Sequence, residues 1–190
     1  MSPAIIESLK NSKVGVLPTD TLYGLVGKAF SESAVEEIYK LKQRSLDKPT
    51  IVLVGSRDDL DSFDIELTDY QKNFLDKVWP GKISVILPCP HDKFSHIHRG
   101  KETIAFRRPD KEDLVETLNK VGPLVAPSAN PEGVSPAHTI EEAKHYFGGE
   151  VDFYSDQGEL KSKPSTLVRV EGEGFEVLRE GAVDLSSLEL

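Results

Sequence analysis

Several short segments of this chain group side chains that could bind an anionic substrate. Residues 18–25 read PTDTLYGL, and residues 127–130 read PSAN. Lys42 and Arg44 stand two positions apart, and other cations occur at Arg107, Arg108 and Arg179. Hydroxyls, amides and cations of this kind hydrogen-bond phosphates and carboxylates. Together they predict a site for a triphosphate and a carboxylate substrate, although each segment alone is also typical of a polar turn or a helix end.

Lys42 and Arg44 can act together only where a helix ends. Residues two apart do not share a helix face, and the sequence Asp47-Lys48-Pro49 disfavours a longer helix. We expect both side chains to face solvent at this end and to converge on one ligand. The helix dipole would also favour two cations at this position without any function.

Alternation along the predicted strands indicates which polar side chains point together. Ser128 and Asn130 would face one way and offer a hydroxyl and an amide to one ligand. Thr103 and Arg107 share one face of another strand, and Arg108 points to the opposite face. A pocket on one side of the sheet would therefore use only one of these two arginines.

The sequence lacks the common nucleotide and metal motifs. Neither a GxxxxGK[ST] loop nor a GxGxxG turn occurs, so a nucleotide would have to be held by side chains. His91, His96 and His98 have no carboxylate or cysteine at a ligand spacing, and we expect no metal site there. Cys89 lies between two prolines and is expected to be structural rather than nucleophilic.

The composition is typical of a single acidic domain. The chain has 190 residues, a net charge of −9 and one cysteine. This length argues for one domain over residues 1–190, and the acidic charge argues against general binding of duplex nucleic acid. One cysteine excludes an internal disulfide and fits a reducing cytosol. Because no apolar run reaches the ~18 residues of a membrane span and the start lacks a signal-peptide layout, we expect a cytoplasmic protein.

The predicted elements alternate at first and then become mostly strands. We expect an amphipathic helix over residues 1–13 and further helices that begin at Ser31, Thr68, Asp110 and Thr139. Strands are predicted at residues 14–18, 50–55, 83–87, 103–106, 124–126, 166–170 and 175–178, the last two as a hairpin. This order predicts an α/β fold with a mixed parallel and antiparallel sheet. The polar motifs lie at strand ends, where open α/β sheets bind ligands.

In this order, the motifs resemble the YrdC-type threonylcarbamoyl-AMP synthases in their short single-domain form. The matching stretches are PTDTLYGL, KQR with KPTIVLV, WPG before a strand, AFRRP, PSAN with a following SP, PST and LREG. They extend over residues 16–182. The resemblance implies the YrdC-like fold, a strongly twisted mixed sheet with flanking helices around an open cavity.

The resemblance also assigns ligand contacts residue by residue. L-Threonine would be bound by Thr21, Arg107, Ser128 and Ser165. ATP would be bound by Lys42, Arg44, Lys48, Thr103, Asn130 and Arg179. Catalysis would depend on Lys42, Arg44, Ser128 and Asn130. Arg107 matches the family motif rather than Arg108, because it lies two residues before a proline.

The sequence departs from the family pattern at four positions, which are Val26, Leu53, Ser84 and Ala137. Val26 replaces a glycine, Ser84 and Ala137 replace threonines, and Leu53 stands where many members have a histidine near the substrate threonine. The changes at Leu53 and Ala137 bear on individual ligand contacts. No counterpart of the C-terminal domain of longer members follows, so we expect any lid over the site to come from this chain's own loops or tail.

The resemblance implies a nucleotidyltransferase that forms threonylcarbamoyl-AMP and pyrophosphate from L-threonine, bicarbonate and ATP. Mg²⁺ would be carried by the triphosphate, and the protein would have no metal site of its own. The product would serve the threonylcarbamoyladenosine modification of tRNA, with the tRNA threonylcarbamoyl transferase machinery as a partner and a weak contact to tRNA at most.

Two other functions stay open. One is a module that binds structured RNA without catalysis, and the other is a carbamoyl-transfer enzyme that acts on another substrate. The acidic charge and the lack of interleaved basic and aromatic residues argue against the first. The missing zinc-finger and acylphosphatase-like segments argue against the second.

Overall fold

Helices and strands alternate along the chain in a computed structural model, which describes residues 1–186. The helices are α1 (Pro3–Lys10), α2 (Glu32–Lys42), α3 (Asp69–Val78), α4 (Ser95–His98), α5 (Glu112–Val121) and α6 (Ile140–Phe147). The strands are β1 (Gly15–Pro18), β2 (Tyr23–Lys28), β3 (Ile51–Leu53), β4 (Ile83–Pro88), β5 (Thr103–Arg107), β6 (Leu124–Val125), β7 (Phe153–Tyr154), β8 (Thr166–Glu171) and β9 (Gly174–Arg179). Short 3-10 helices cover Asp58–Phe63 and Asp92–Phe94. Within residues 1–186, none of the helices has the length and hydrophobicity needed to cross a bilayer.

The strands of the described residues form one nine-stranded sheet in the order β7-β1-β2-β6-β3-β5-β4-β8-β9. The pairs β1/β7, β3/β5 and β4/β8 are parallel, and the other neighbours are antiparallel. The sheet has two free edges and is therefore open. The predicted mixed α/β sheet with flanking helices is confirmed.

The core consists of two clusters of buried side chains. The larger cluster includes Phe63 and Phe106. The smaller cluster places Leu114 and Leu118 of α5 against Leu53 of β3. Full burial of a leucine stabilises the fold by roughly 1.5–3 kcal/mol. These apolar contacts fix the strands and helices that carry the polar motifs.

Most of the predicted helix starts are correct. The side chains of Ser31, Thr68 and Thr139 each accept a hydrogen bond from a backbone N–H in the first turn, as N-caps do. The predicted start at Asp110 is wrong, because α5 begins after Lys111. The backbone N–H of Asp110 instead donates to a carboxylate in the β1–β2 turn, which holds this residue in the loop before the helix.

Strand β2 is an element that the sequence does not predict. Its sequence YGLVGK contains two glycines, and glycine is disfavoured in strands. The structure explains one of them: a Cβ on Gly27 would lie 3.2 Å from both Cβ of Ala34 and Cδ1 of Ile38 in α2. Glycine at this position therefore lets α2 pack closely on the sheet.

Residues 155–165 form a strap that joins β7, at one edge of the sheet, to β8, beside the other edge. The hydroxyl of Tyr23 donates to the carbonyl of Gly158 at 2.8 Å. Further along, the backbone N–H of Leu160 donates to the carbonyl of His138 at 2.8 Å. These bonds attach the strap to β2 and to the loop before α6 on its way to β8.

Candidate active site

A cavity of about 440 Å³ lies against one face of the sheet, where alternate residues of β4 and β5 line it together with loop residues. Its volume lies in the range of roughly 300–1,000 Å³ that is typical of small-molecule sites. The predicted ligand residues that line it are Thr21, Arg44, Thr103, Arg107, Ser128, Ser165 and Arg179. Motifs that are far apart in the sequence therefore meet at one cavity, and the wall combines cations with hydroxyl groups.

Arg107 lines the cavity and forms a buried ion pair with Asp20, which is not among the lining residues. Their side chains are 4% and 3% exposed, and Nη1 of Arg107 lies 2.5 Å from Oδ1 of Asp20. The same nitrogen donates to the hydroxyl of Thr21 at 3.3 Å. Burial lowers the pKa of Arg107, and the carboxylate of Asp20 opposes this shift. Nε of Arg107 is buried and has no hydrogen-bond partner in the described part of the chain.

Asp20, the partner of Arg107, is a residue to which the sequence reasoning assigns no role. It lies between Thr19 and Thr21, whose hydroxyl oxygens are 3.1 Å apart. Its Oδ2 accepts a hydrogen bond from the backbone N–H of Asp110 at 3.2 Å. Its negative charge could have identified it in the sequence, because a buried arginine needs a nearby carboxylate.

Arg108 points away from the cavity. Its Nε donates to the carbonyl of Gly55 at 3.1 Å, whereas Thr103, Ala105 and Arg107 line the cavity. The predicted alternation along β5 is confirmed. The ligand roles of Thr103 and Arg107 stay predictions.

Ser165 and Arg179 form another part of the wall. Nη2 of Arg179 donates to the carbonyl of Ser165 at 2.9 Å, and the hydroxyl oxygens of Ser165 and Ser84 are 2.7 Å apart. Burial lowers the pKa of Arg179. An arginine stays charged even so, because its ordinary pKa lies above ~12, and this guanidinium can neutralise an anion.

Lys42, Lys48 and Asn130 are not among the residues that line the cavity. The expectation of a solvent-facing Lys42 is wrong, because this residue is 2% exposed. Its Nζ donates to the carbonyls of Ser128 and Asn130 at 2.6 and 2.7 Å. The end of α2 packs against the PSAN segment, and that contact buries the lysine. Lys48 forms an ion pair with Glu132 nearer the surface.

The positions that depart from the family pattern fall into two groups. Leu53 and Ala137 are fully buried and do not line the cavity, and Val26 packs in the smaller core cluster. Ser84 lines the cavity and pairs with Ser165. In this chain, Leu53 and Ala137 are therefore part of the packing, and Ser84 keeps a hydroxyl in the wall.

The histidines of residues 91–98 contact backbone carbonyls. Nε2 of His91, His96 and His98 lies 3.3, 2.9 and 3.3 Å from the carbonyl oxygens of Asp64, Ala29 and His91, respectively. In the part of the chain that the structure describes, no group of three or more His, Cys, Asp and Glu side chains could hold a metal ion. These contacts give the histidines a structural role.

The chain shares this architecture with proteins of known sequence and structure. The model of the Sua5/YciO/YrdC family, described as telomere recombination, matches residues 7–181. The chain belongs to the Sua5/YciO/YrdC family. The match includes every motif from PTDTLYGL to LREG, so the resemblance inferred from those motifs is confirmed.

Relatives of the Sua5/YciO/YrdC family match nearly the whole chain. A putative threonylcarbamoyl-AMP synthase of Methanocaldococcus jannaschii is 32% identical over 192 residues, which cover 97% of this chain and 89% of the relative. The crystal structure of Pyrococcus abyssi Sua5 complexed with L-threonine has a TM-score of 0.87 and 27% identity, covering 94% of this chain and 53% of the other. The chain thus spans about half the length of that Sua5. Escherichia coli YciO, with a TM-score of 0.85, 22% identity and coverage of 96% and 90%, shares the fold.

Proposed function

We propose that this chain is an enzyme that forms threonylcarbamoyl-AMP and pyrophosphate from L-threonine, bicarbonate and ATP. The product would be the activated intermediate for the threonylcarbamoyladenosine modification of tRNA. The observation that carries the proposal is the cavity itself, where Thr21 and Arg107 face the same space as Arg44 and Arg179. The names of the Methanocaldococcus relative and of the threonine-bound Pyrococcus structure support the same reaction.

The two substrates would occupy neighbouring parts of the cavity. L-Threonine would bind Thr21, Arg107, Ser128 and Ser165, and its carboxylate would pair with the guanidinium of Arg107. ATP would bind Arg44, Thr103 and Arg179. The prediction that Lys42, Lys48 and Asn130 also contact ATP gains no support from the cavity lining, in which none of them takes part.

The reaction would proceed without a protein nucleophile. The amine of threonine combines with bicarbonate to give a carbamate and water. A carbamate oxygen then attacks the α-phosphorus of ATP, and the bond between that phosphorus and the bridging oxygen of pyrophosphate breaks. Arg44 and Arg179 would neutralise the negative charge on the phosphates, and Arg107 would hold the carbamate in line for attack. Mg²⁺ would enter with the triphosphate, of which it neutralises part of the charge.

Pyrophosphate release tests the reaction. We expect release only when ATP, L-threonine and bicarbonate are all present, and much less when serine or valine replaces threonine. The matched controls omit one substrate at a time. Equal release without threonine would reject the synthase, and binding of structured RNA without any release would favour a binding module.

A further inference from the structure

Lys42 directs its ammonium at the backbone of the PSAN turn, which is defined here as residues 127–130. Nζ donates to the carbonyls of Ser128 and Asn130 at 2.6 and 2.7 Å, and it lies 3.5 Å from Oδ1 of Asn130. An ammonium group has three N–H donors. All three therefore have acceptors in this one turn, and the residue is 2% exposed.

The ammonium of Lys42 supplies the PSAN turn with a positive charge among its hydrogen-bond donors. The carbonyls of Ser128 and Asn130 converge on one point, where their partial negative charges would repel each other without a cation. Backbone bonds attach the turn to β2, where the N–H of Ala129 donates to the carbonyl of Tyr23 at 2.8 Å. Two further bonds involve side chains: the hydroxyl of Ser128 donates to Oδ1 of Asn130 at 2.6 Å, and Nδ2 of Asn130 donates to the carbonyl of Val134 at 2.8 Å. Loss of Lys42 would leave two buried carbonyls without their charged partner.

We propose that Lys42 is a positioning residue that fixes the PSAN turn from behind the cavity wall, while Arg44 of the same segment faces the ligand. Ser128 lines the cavity, so the ammonium sets the place of its hydroxyl. The inference rests on the proposed function only in that Ser128 is taken to contact threonine. Burial, and then the charge of Arg44, lower the pKa of Lys42 to about 7, whereas the hydrogen bonds to two carbonyls favour the charged ammonium.

A direct phosphate contact by Lys42 makes different predictions. If Lys42 bound a phosphate directly, its side chain would face the cavity, bound ATP would shield it from solvent, and its substitution would affect nucleotide binding alone. An arginine in its place would also supply charge to a phosphate. A positioning lysine in a closed site cannot be replaced in this way, because the planar guanidinium is larger and directs its donors differently.

Lysine labelling of the wild-type protein is the first test. We expect acetylation followed by mass spectrometry to leave Lys42 unmodified both with and without ATP. Lys48 is the matched control, because its side chain is 53% exposed and reacts in the free protein. Rapid labelling of Lys42 in the free protein, with protection by ATP, would overturn the proposal.

Ligand titrations of variants are the second test. We expect Lys42→Met and Lys42→Arg to weaken L-threonine binding about tenfold or more, the scale of a lost charge-assisted hydrogen bond. Arg44→Met should leave threonine binding within about twofold and weaken ATP binding about tenfold. A threonine affinity in Lys42→Met equal to that of the wild type contradicts a positioning role. So does a loss of ATP binding in Lys42→Met that Lys42→Arg restores.

The two tests also separate this inference from the proposed function. If the wild-type protein binds neither ligand, the proposed function fails, and the labelling of Lys42 still decides whether its ammonium is held by the turn. If the Lys42 variants do not fold, the labelling again decides, since it uses the unaltered protein.

Discussion

The pair of Arg107 and Asp20 places two opposite charges where water does not reach them. Removing a charge from water costs several kcal/mol, which is recovered only with good geometry and further hydrogen bonds. Here the carboxylate of Asp20 receives Nη1 of Arg107 and the backbone N–H of Asp110. These bonds fix the guanidinium before a ligand binds, so binding loses little further side-chain entropy at this residue.

Arg107→Ala should weaken L-threonine binding by about ten- to a hundredfold, because one charge-assisted hydrogen bond is lost. ATP binding measured without threonine should change much less. The free energy of unfolding should also fall by about 3–5 kcal/mol, since Asp20 is left as an unpaired buried charge. Calorimetric titration of each ligand and urea unfolding measure these effects.

Arg108→Ala is the matched control for that variant, because the Arg108 side chain points to the opposite face of β5 and bonds to Gly55. It should leave the binding of both ligands nearly unchanged. Loss of threonine binding in Arg108→Ala, with normal binding in Arg107→Ala, would reverse the assignment.

Cys89 should be unreactive in the folded protein. Its side chain is fully buried, and burial raises the pKa of the thiol to about 11, so the reactive thiolate is scarce at neutral pH. Iodoacetamide at pH 8 should label the protein in urea and not in buffer, as measured by mass spectrometry. Because the folded pKa lies above the value of 9.0 for a free thiol, the stability that this thiol contributes is present below pH 9 and lost as the pH rises through about 11. Fast labelling in buffer would show that the thiol is accessible.

The segment after β9 braces the start of β8. The backbone N–H of Ala182 donates to the carbonyl of Pro164 at 2.8 Å, and the hydroxyl of Thr166 donates to the carbonyl of Val183 at 2.6 Å. A Cβ on Gly181 would lie 2.4 Å from the Pro164 carbonyl oxygen. The two backbones pass too closely for any larger residue, and Ser165 lies between the braced positions.

Gly181→Ala should therefore damage both the fold and the site. The added methyl meets backbone atoms that cannot rotate away, so we expect a loss of about 1–3 kcal/mol of stability. Displacement of Ser165 should weaken threonine binding as well. Gly149→Ala is the control, because a Cβ at Gly149 meets nothing within 4 Å. Thermal unfolding and threonine titration of both variants check this, and equal behaviour of the two would contradict the close approach.

At the scale of the whole molecule, local patterns predicted the elements better than they predicted the contacts between them. The late hairpin, the N-caps and the alternation along β5 depend on neighbouring residues, and they were predictable for that reason. The burial of Lys42 depends on carbonyls 86 and 88 residues away, and the pairing of Asp20 with Arg107 joins residues 87 apart. No periodicity in the sequence reports such distances, so a lysine at a helix end was taken as exposed.

The strand order affects how a newly made chain reaches its active form. Strand β1 pairs in parallel with β7, and β4 pairs in parallel with β8. The parallel partners of β1 and β4 are therefore synthesised much later than these strands themselves. Until then, the edge of each strand that faces its parallel partner is unpaired and open to other chains. Folding that depends on such distant pairings is slow and exposes intermediates to aggregation. The nascent chain gains a complete cavity only once Ser165 and Arg179 have been synthesised, so catalytic competence should be among the last properties that it acquires.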